Sequence, residues 1–393
     1  MKKTLIIILL TSLFWQNIFS QTNSNIVFFG DTIRSSFVFS NNLLIQKIDN
    51  EQAVLNFYTQ LNTSNYNDVV VAIKSYKTKY SLDDWMYYQL IRRTAQTYYP
   101  KANNYECYTI FKWYLLVQSG YNAQLSLINQ KLLLYVQSND SIYDVPLFEL
   151  AGKQYVCLNS HDFAKINFKD SILKKINIQV PNASKAFSYK INNIPNFKEK
   201  HQVQKELFFS YHKRMNCIKI TIDEQMDILF NNYPSVDFDM YFNIPISMQT
   251  YATLIPQLQK KTNKMSQQKG VDYLMNFTRN AFLFETDQKN FGKEKRLTPE
   301  QTLMNAYSDC DDRVALLYYL IKEIYNVPML VILYPNHVVL AVHLQKNKGK
   351  ILVYKNKNYT FCEPTPQAIN LPLGHLMPEY LNKAYKIGFE YLP

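Results

Sequence analysis

The 393-residue chain is short of the features that mark membrane, metal and nucleotide proteins. Beyond its first 21 residues no segment reaches the ~18 consecutive apolar residues of a bilayer-spanning helix, so no integral membrane segment is expected there. No Cys or His pair has zinc-ligand spacing and no Gly-rich phosphate loop is present, so neither a metal nor a cofactor is expected. Glycine is scarce, at 8 residues against 31 Tyr and 24 Phe, a balance that favours strands and aromatic-rich cores and assigns no function. Charged residues make up only 19% against 47% hydrophobic, which leaves no room for a long disordered tract.

The N-terminus reads Met1-Lys2-Lys3, an apolar run from Thr4 to Trp15, then small and polar residues through Phe19-Ser20-Gln21. This is the pattern of a secretory signal peptide over residues 1–21, so the mature chain is expected in the periplasm or outside the cell. The first cysteine is Cys107, too distant for a lipid anchor. Net charge is +12, but the densest basic stretches, near Lys198–Lys205 and Lys346–Lys357, read as solvated loops. An exported chain of this kind is not expected to bind nucleic acid. Five cysteines, an odd number, leave at least one thiol unpaired within the chain or paired between molecules; a catalytic thiol or a reduced buried set accounts for it equally.

The length suggests two or three domains of an α+β protein. Alternation around Gly30-Asp31 predicts a hairpin within Asn25–Ser40, and helical spacing dominates from Asp49 to Ser119. Strands are expected at Ala123–Ile128, Lys131–Gln137 and Gln154–Leu158, giving an N-terminal helix-then-strand module at 22–163. Short runs at Lys175–Val180, Ala186–Ile191, Glu206–Tyr211, Cys217–Ile222 and Gln225–Phe230 suggest a small β-sandwich-like module at 164–246. Helices at Ser247–Lys264 and Gln267–Leu283 and strands from Met329 to Phe361 make 247–393 a third, α+β unit.

Chemistry concentrates in this last unit. Thr298-Pro299-Glu300-Gln301 is a helix start with reciprocal capping. Ser308 or Asp309 can then cap a second helix, placing Cys310 in its first turn, where the dipole and free N–H groups favour thiolate and an oxyanion. A Tyr334-Pro335-Asn336 turn sets His337 at the head of a strand, and Glu363 ends a later one. His337 lies 27 residues beyond Cys310 and Glu363 26 beyond His337, so a helix N-terminus and two strands can converge at one sheet edge. A Cys, a His and an orienting acid generalise the triad logic. Asp309, Tyr307 and Asn336 are candidate supporting residues, and His343 lies too far along its strand to join them.

The order S-D-C-D-D-R, P-N-H-V-V-L-A-V and C-E-P-T resembles the transglutaminase-like, papain-like cysteine domains over roughly Gln267–Pro366. Glu363 stands where that family has Asp, and Ser308 where Gly is usual. The resemblance implies a Cys310–His337–Glu363 triad that attacks an amide or peptide carbonyl through a thioester and passes the acyl group to water or an amine. The partner would be a protein or peptide substrate. A non-catalytic binding or assembly protein keeping the fold is the alternative.

A weaker echo of the same plan runs through residues 45–163. Asn104-Tyr105-Glu106-Cys107 precedes a helical run, and aligning the following strands puts Lys131 opposite His337, Cys157 opposite Cys362 and Leu158 opposite Glu363. This predicts a second, triad-less copy whose Cys107 opens a helix and whose strands at 132–136 and 154–158 pair.

Overall fold

The computed structural model describes residues 23–38, 50–64, 66–163, 166–168, 170–195 and 201–393, so the expected signal peptide lies outside the described residues. Among them are eleven helices and two five-stranded antiparallel sheets, a mixed α+β architecture. No described helix is long and apolar enough to cross a membrane.

The N-terminal hairpin forms as its alternation predicts, with β1 (Asn23–Phe28) and β2 (Asp31–Val38) joined through Phe29-Gly30. Both turn residues have positive φ, 45° and 89°, and glycine supplies the second without steric cost. Helices α1 (Glu51–Thr63), α2 (Asn67–Lys79), α3 (Asp84–Tyr98) and α4 (Tyr105–Gln118) follow. The α4 sequence YECYTIFKWYLLVQ is apolar nearly all round, and eleven of its residues are buried, as a helix at the centre of a core requires. Strands β3 (Ala123–Ile128), β4 (Lys131–Gln137), β5 (Ile142–Tyr143), β6 (Leu147–Leu150), β7 (Lys153–Cys157) and β8 (Lys174–Lys175) complete this half.

The expected β-sandwich-like module at 164–246 does not form. Of its first run only Lys175 pairs, together with Lys174 as β8 on β3, and the Ala186–Ile191 run touches the sheets through one isolated bridge, Ser138 to Phe187. Its alternation instead serves packing: Phe187, Tyr189 and Ile191 are buried. β9 (Gln202–Tyr211) and β10 (Arg214–Asp223) form a lone hairpin whose Leu207, Phe209, Ile218, Ile220 and Ile222 are buried, with the Phe209 ring 5.2–5.3 Å from those of Tyr273 and Phe277. Gln225–Phe230 is a helix, α5, because Met226, Leu229 and Phe230 sit at helical spacing and bury one face.

After β11 (Ser235–Val236) and α6 (Phe238–Phe242) come α7 (Met248–Thr262), α8 (Gln267–Asn280), β12 (Leu283–Phe284), α9 (Asp287–Phe291), α10 (Pro299–Met304) and β13 (Tyr307–Ser308). The capping box at α10 is present: the Gln301 N–H donates to Thr298 Oγ1 at 3.2 Å and the Thr298 N–H to Gln301 Oε1 at 3.1 Å. Then α11 (Cys310–Tyr325) leads into β14 (Met329–Tyr334), β15 (His337–Val342), β16 (Ile351–Tyr354), β17 (Lys357–Cys362) and β18 (Lys386–Tyr391). One contiguous apolar core runs from Ile26 to Leu373 through both halves.

The two sheets have the same plan. Their orders are β6-β7-β4-β3-β8 and β16-β17-β15-β14-β18, each preceded in the chain by a buried helix, α4 or α11. Two-residue turns join β3 to β4 and β14 to β15, so Lys131 and His337 are equivalent, as expected. Two-residue turns with positive φ at Ala151-Gly152 and Lys355-Asn356 likewise make Lys153 equivalent to Lys357. The register then differs by one from the sequence alignment. The Leu158 N–H donates to Leu134 O at 2.8 Å where Cys362 pairs with Leu340, so Leu158 matches Cys362 and Asn159, not Leu158, matches Glu363. Helix caps Asn104 and Asp309 correspond as well, which puts Tyr105 at the place of Cys310. Cys107 does open a helix and the strands do pair, but its thiol is two residues past the nucleophile position.

Candidate active site

Cys310 is the first residue of α11, capped by Asp309 as the sequence suggests. The next turn is anchored by two buried polar side chains. Asp312 accepts the Leu297 N–H at 2.7 Å and the Asp309 N–H at 3.3 Å. Arg313, fully buried, donates to the carbonyls of Thr278, Arg279, Phe282, Leu283 and Ser308 at 2.8–3.3 Å, tying the end of α8 and β12 to the start of α11. Burial lowers its pKa to about 10, and these carbonyls replace the water it has lost.

His337 heads β15 and Glu363 follows β17 on the neighbouring strand. His337 Nε2 lies 2.7 Å from Glu363 Oε2, and the other carboxylate oxygen accepts the Thr365 N–H at 2.9 Å. Glu363 is 1% exposed and His337 6%. The extra methylene of Glu over Asp is accommodated because the carboxylate is held at both oxygens. Arg279 grips the Glu363 carbonyl with Nε at 3.2 Å and with Nη2, fixing the strand end. The imidazole stacks on Tyr380, with ring centroids 5.1 Å apart and planes at 18°.

A cleft of about 670 Å³ holds Cys310, His337, Val338, Asp309 and Asn336 together. With Nε2 engaged by Glu363, the imidazole has Nδ1 left for the thiol. No hydrogen bond joins Cys310 to His337 among the described residues; the thiol's hydrogen-bonding neighbour is the main chain of Val338, one residue on. Tyr307 is 38% exposed and does not line the cleft, and His343 bonds the Asn358 carbonyl at 2.8 Å, outside the cleft lining.

The electrostatics reverse one expectation. The helix N-terminus was expected to favour thiolate, but burial, then the neighbouring carboxyls of Asp311 and Asp309, push the Cys310 thiol well above its ordinary value. Two more acids, Glu294 and Glu379, and buried Asp287 line the same cleft, against the single guanidinium of Arg296, whose Nε is 3.4 Å from Asp311 Oδ2. Oxygens of Asp287, Glu294 and Asp309 come within 4.8 Å of one another, close enough to share a proton or a cation. Burial accordingly raises Asp287 to about 7, and burial with the Asp311 carboxyl raises Asp309 to about 11. All five cysteines are unpaired thiols: Cys107, Cys157 and Cys362 buried, Cys217 exposed.

Sequence reasoning missed Tyr380, Arg279, Asp287 and Glu294. Tyr380 sits in a single 3-10 turn at Pro378–Tyr380, with no periodicity to announce it. In comparisons with known proteins, no family model, curated protein or solved structure matches this chain.

Proposed function

We propose that the chain is an exported transglutaminase-like cysteine hydrolase or acyl transferase acting on an amide or peptide. The observation that carries this reading is the buried 2.7 Å His337–Glu363 pair facing the cleft that also contains Cys310 at a helix N-terminus. Glu363 holds the imidazole with a proton on Nε2, leaving Nδ1 as the base. Because the resting cysteine is a thiol, its proton moves to His337 as sulfur attacks the carbonyl carbon. N–H groups of the first turn of α11 would receive the oxyanion. Collapse breaks the C–N bond, the amine leaves with the His337 proton, and a thioester remains on Cys310. Water deprotonated by His337 then releases the acid and restores the thiol. The carboxylates around the cleft favour a substrate with a positive charge near the scissile bond.

The rival reading is a binding protein that keeps the fold. The acids that oppose thiolate at Cys310 favour it. Acylation by p-nitrophenyl acetate separates the two. An acetyl thioester on Cys310, absent from Cys310→Ala and formed about 100-fold more slowly by His337→Ala, is expected from the loss of a general base. Equal rates in wild type and His337→Ala, or acetylation only at exposed Cys217, leave the binding reading.

A further inference from the structure

The N-terminal copy carries its own cluster of polar groups where the C-terminal copy has its cleft, and the sign of the charge is inverted. Tyr105, at the nucleophile's place, donates to Asp162 Oδ2 at 2.9 Å and accepts from Asn159 Nδ2 at 2.8 Å. Lys101 Nζ lies 2.5 Å and His161 Nε2 3.4 Å from the other Asp162 oxygen. Arg92 on α3 and Lys112 on α4 both act on the same carboxylate. Lys112 is 2% exposed, and its ammonium sits 4.4 Å from the centre of the Tyr108 ring; no hydrogen bond or ion pair joins it to any described residue. Lys101 and Arg92 therefore converge on a single acid, while burial lowers Lys112 to about 7 and His161 to about 4, so neither adds a full charge at neutral pH.

Interiors balance buried charge, because an uncompensated ion costs several kcal/mol. This interior leaves positive charge in excess. A cavity of about 410 Å³ adjoins it. Cys157, Ser160 and His161 form the wall toward the cluster, and Lys293, Lys295 and Arg296 line the cavity from the other half of the chain. Rings of Trp85, Tyr189 and Tyr233 supply an apolar surface. The two acids of the lining weaken the positive field little. Asp144 is taken up by the N–H and hydroxyl of Ser235, and burial holds both it and Glu294 toward the protonated form.

We propose that this cavity binds an organic anion, its carboxylate or phosphate group between His161 and the Lys293–Arg296 wall, its apolar body against the three rings. The guanidinium of Arg92 strengthens the field from behind and need not touch the ligand. This inference does not depend on chemistry at Cys310, although Glu294 and Arg296 line both the cavity and the cleft.

Calorimetric titration of the full chain at low ionic strength tests it, with benzoate and phenyl phosphate as probes and benzyl alcohol as the neutral control. Saturable binding of at least one anion at a single site is expected, with benzyl alcohol at least tenfold weaker. Whichever anion binds tighter identifies the headgroup. Lys295→Gln should weaken binding about tenfold, and Lys112→Met, which removes an ammonium only partly charged at neutral pH, should weaken it less than twofold while the protein stays folded. Absence of saturable binding of both anions at millimolar concentration overturns the proposal. So does benzyl alcohol binding as well as benzoate, or unchanged affinity in Lys295→Gln, which remains informative if Lys112→Met does not fold.

Discussion

The two halves of the chain share a central helix, a sheet order and two hairpin registers, yet they differ where the helix N-terminus meets the strand end. In the N-terminal half Asn159 closes the arrangement: its Oδ1 accepts the Leu134 N–H at 2.8 Å, and its Nδ2 donates to Leu132 O at 3.1 Å and Tyr105 at 2.8 Å. Both ends of its amide are engaged, and what surrounds it is basic. In the C-terminal half Glu363 satisfies His337 and Thr365 but leaves Cys310 unbonded to the imidazole, among acids. One scaffold thus supports a closed polar network and an open cleft. The choice rests on which side chains occupy two equivalent positions.

The sharpest way to break this comparison is at the fourth residue of each helix, where Arg313 corresponds to Tyr108. Arg313→Ala strands five backbone carbonyls, and a loss of about 3–5 kcal/mol in urea denaturation is expected. Tyr108→Phe should cost under about 1 kcal/mol. Near-equal losses would mean that the two helix starts are anchored alike. A smaller effect separates the strand-end residues. Asn159→Ala leaves two buried main-chain groups unpaired and should cost about 2–3 kcal/mol without altering acylation of Cys310. Glu363→Gln should do the reverse, changing stability by about 1 kcal/mol or less and slowing acylation at least 100-fold through the wrong imidazole tautomer. If Asn159→Ala slows acylation as strongly, the halves are not independent.

How much of this was readable in the chain differs between elements. Caps, two-residue turns and helical spacing carry local signals, so the α10 capping box, the start of α11 at Cys310, and strands β3, β4, β14 and β15 were placed within a residue or two. The His337–Glu363 pairing followed from the strand order. The 164–246 region was misread because alternation in Ala186–Ile191 reports which side chains are buried and not whether the backbone has a partner. The one-residue error at Asn159 has a similar cause: register is fixed by turn geometry and cross-strand hydrogen bonds, whereas the alignment followed the shared cysteine. The reversal at Cys310 came first from burial, which depends on the tertiary fold, and then from Asp311 and Asp309, neighbours in the sequence that read there only as helix-start charges.

The finest comparison concerns the thiols themselves. Cys107 and Cys310 both lie in the first turn of a buried helix, and both are pushed up, first by burial and then by a carboxylate: Glu106 for Cys107, which reaches about 12, and Asp311 for Cys310. Cys107 is fully buried, but Cys310 opens on a cleft, so only there can the charge be exposed by a reagent. A raised thiol is mostly protonated at neutral pH, so iodoacetamide labelling of Cys310 should climb from pH 7 to 9 without a plateau. The measurement needs a Cys217→Ser background, because that thiol is exposed. Asp311→Asn removes the nearest opposing charge and frees Arg296, so labelling at pH 8 should rise by up to about tenfold, the change for one unit of pKa. Glu106→Gln should leave Cys107 unlabelled, since burial rather than charge protects it. A plateau below pH 8 in the wild type would show that His337 already draws the proton from Cys310, outweighing the acids around it.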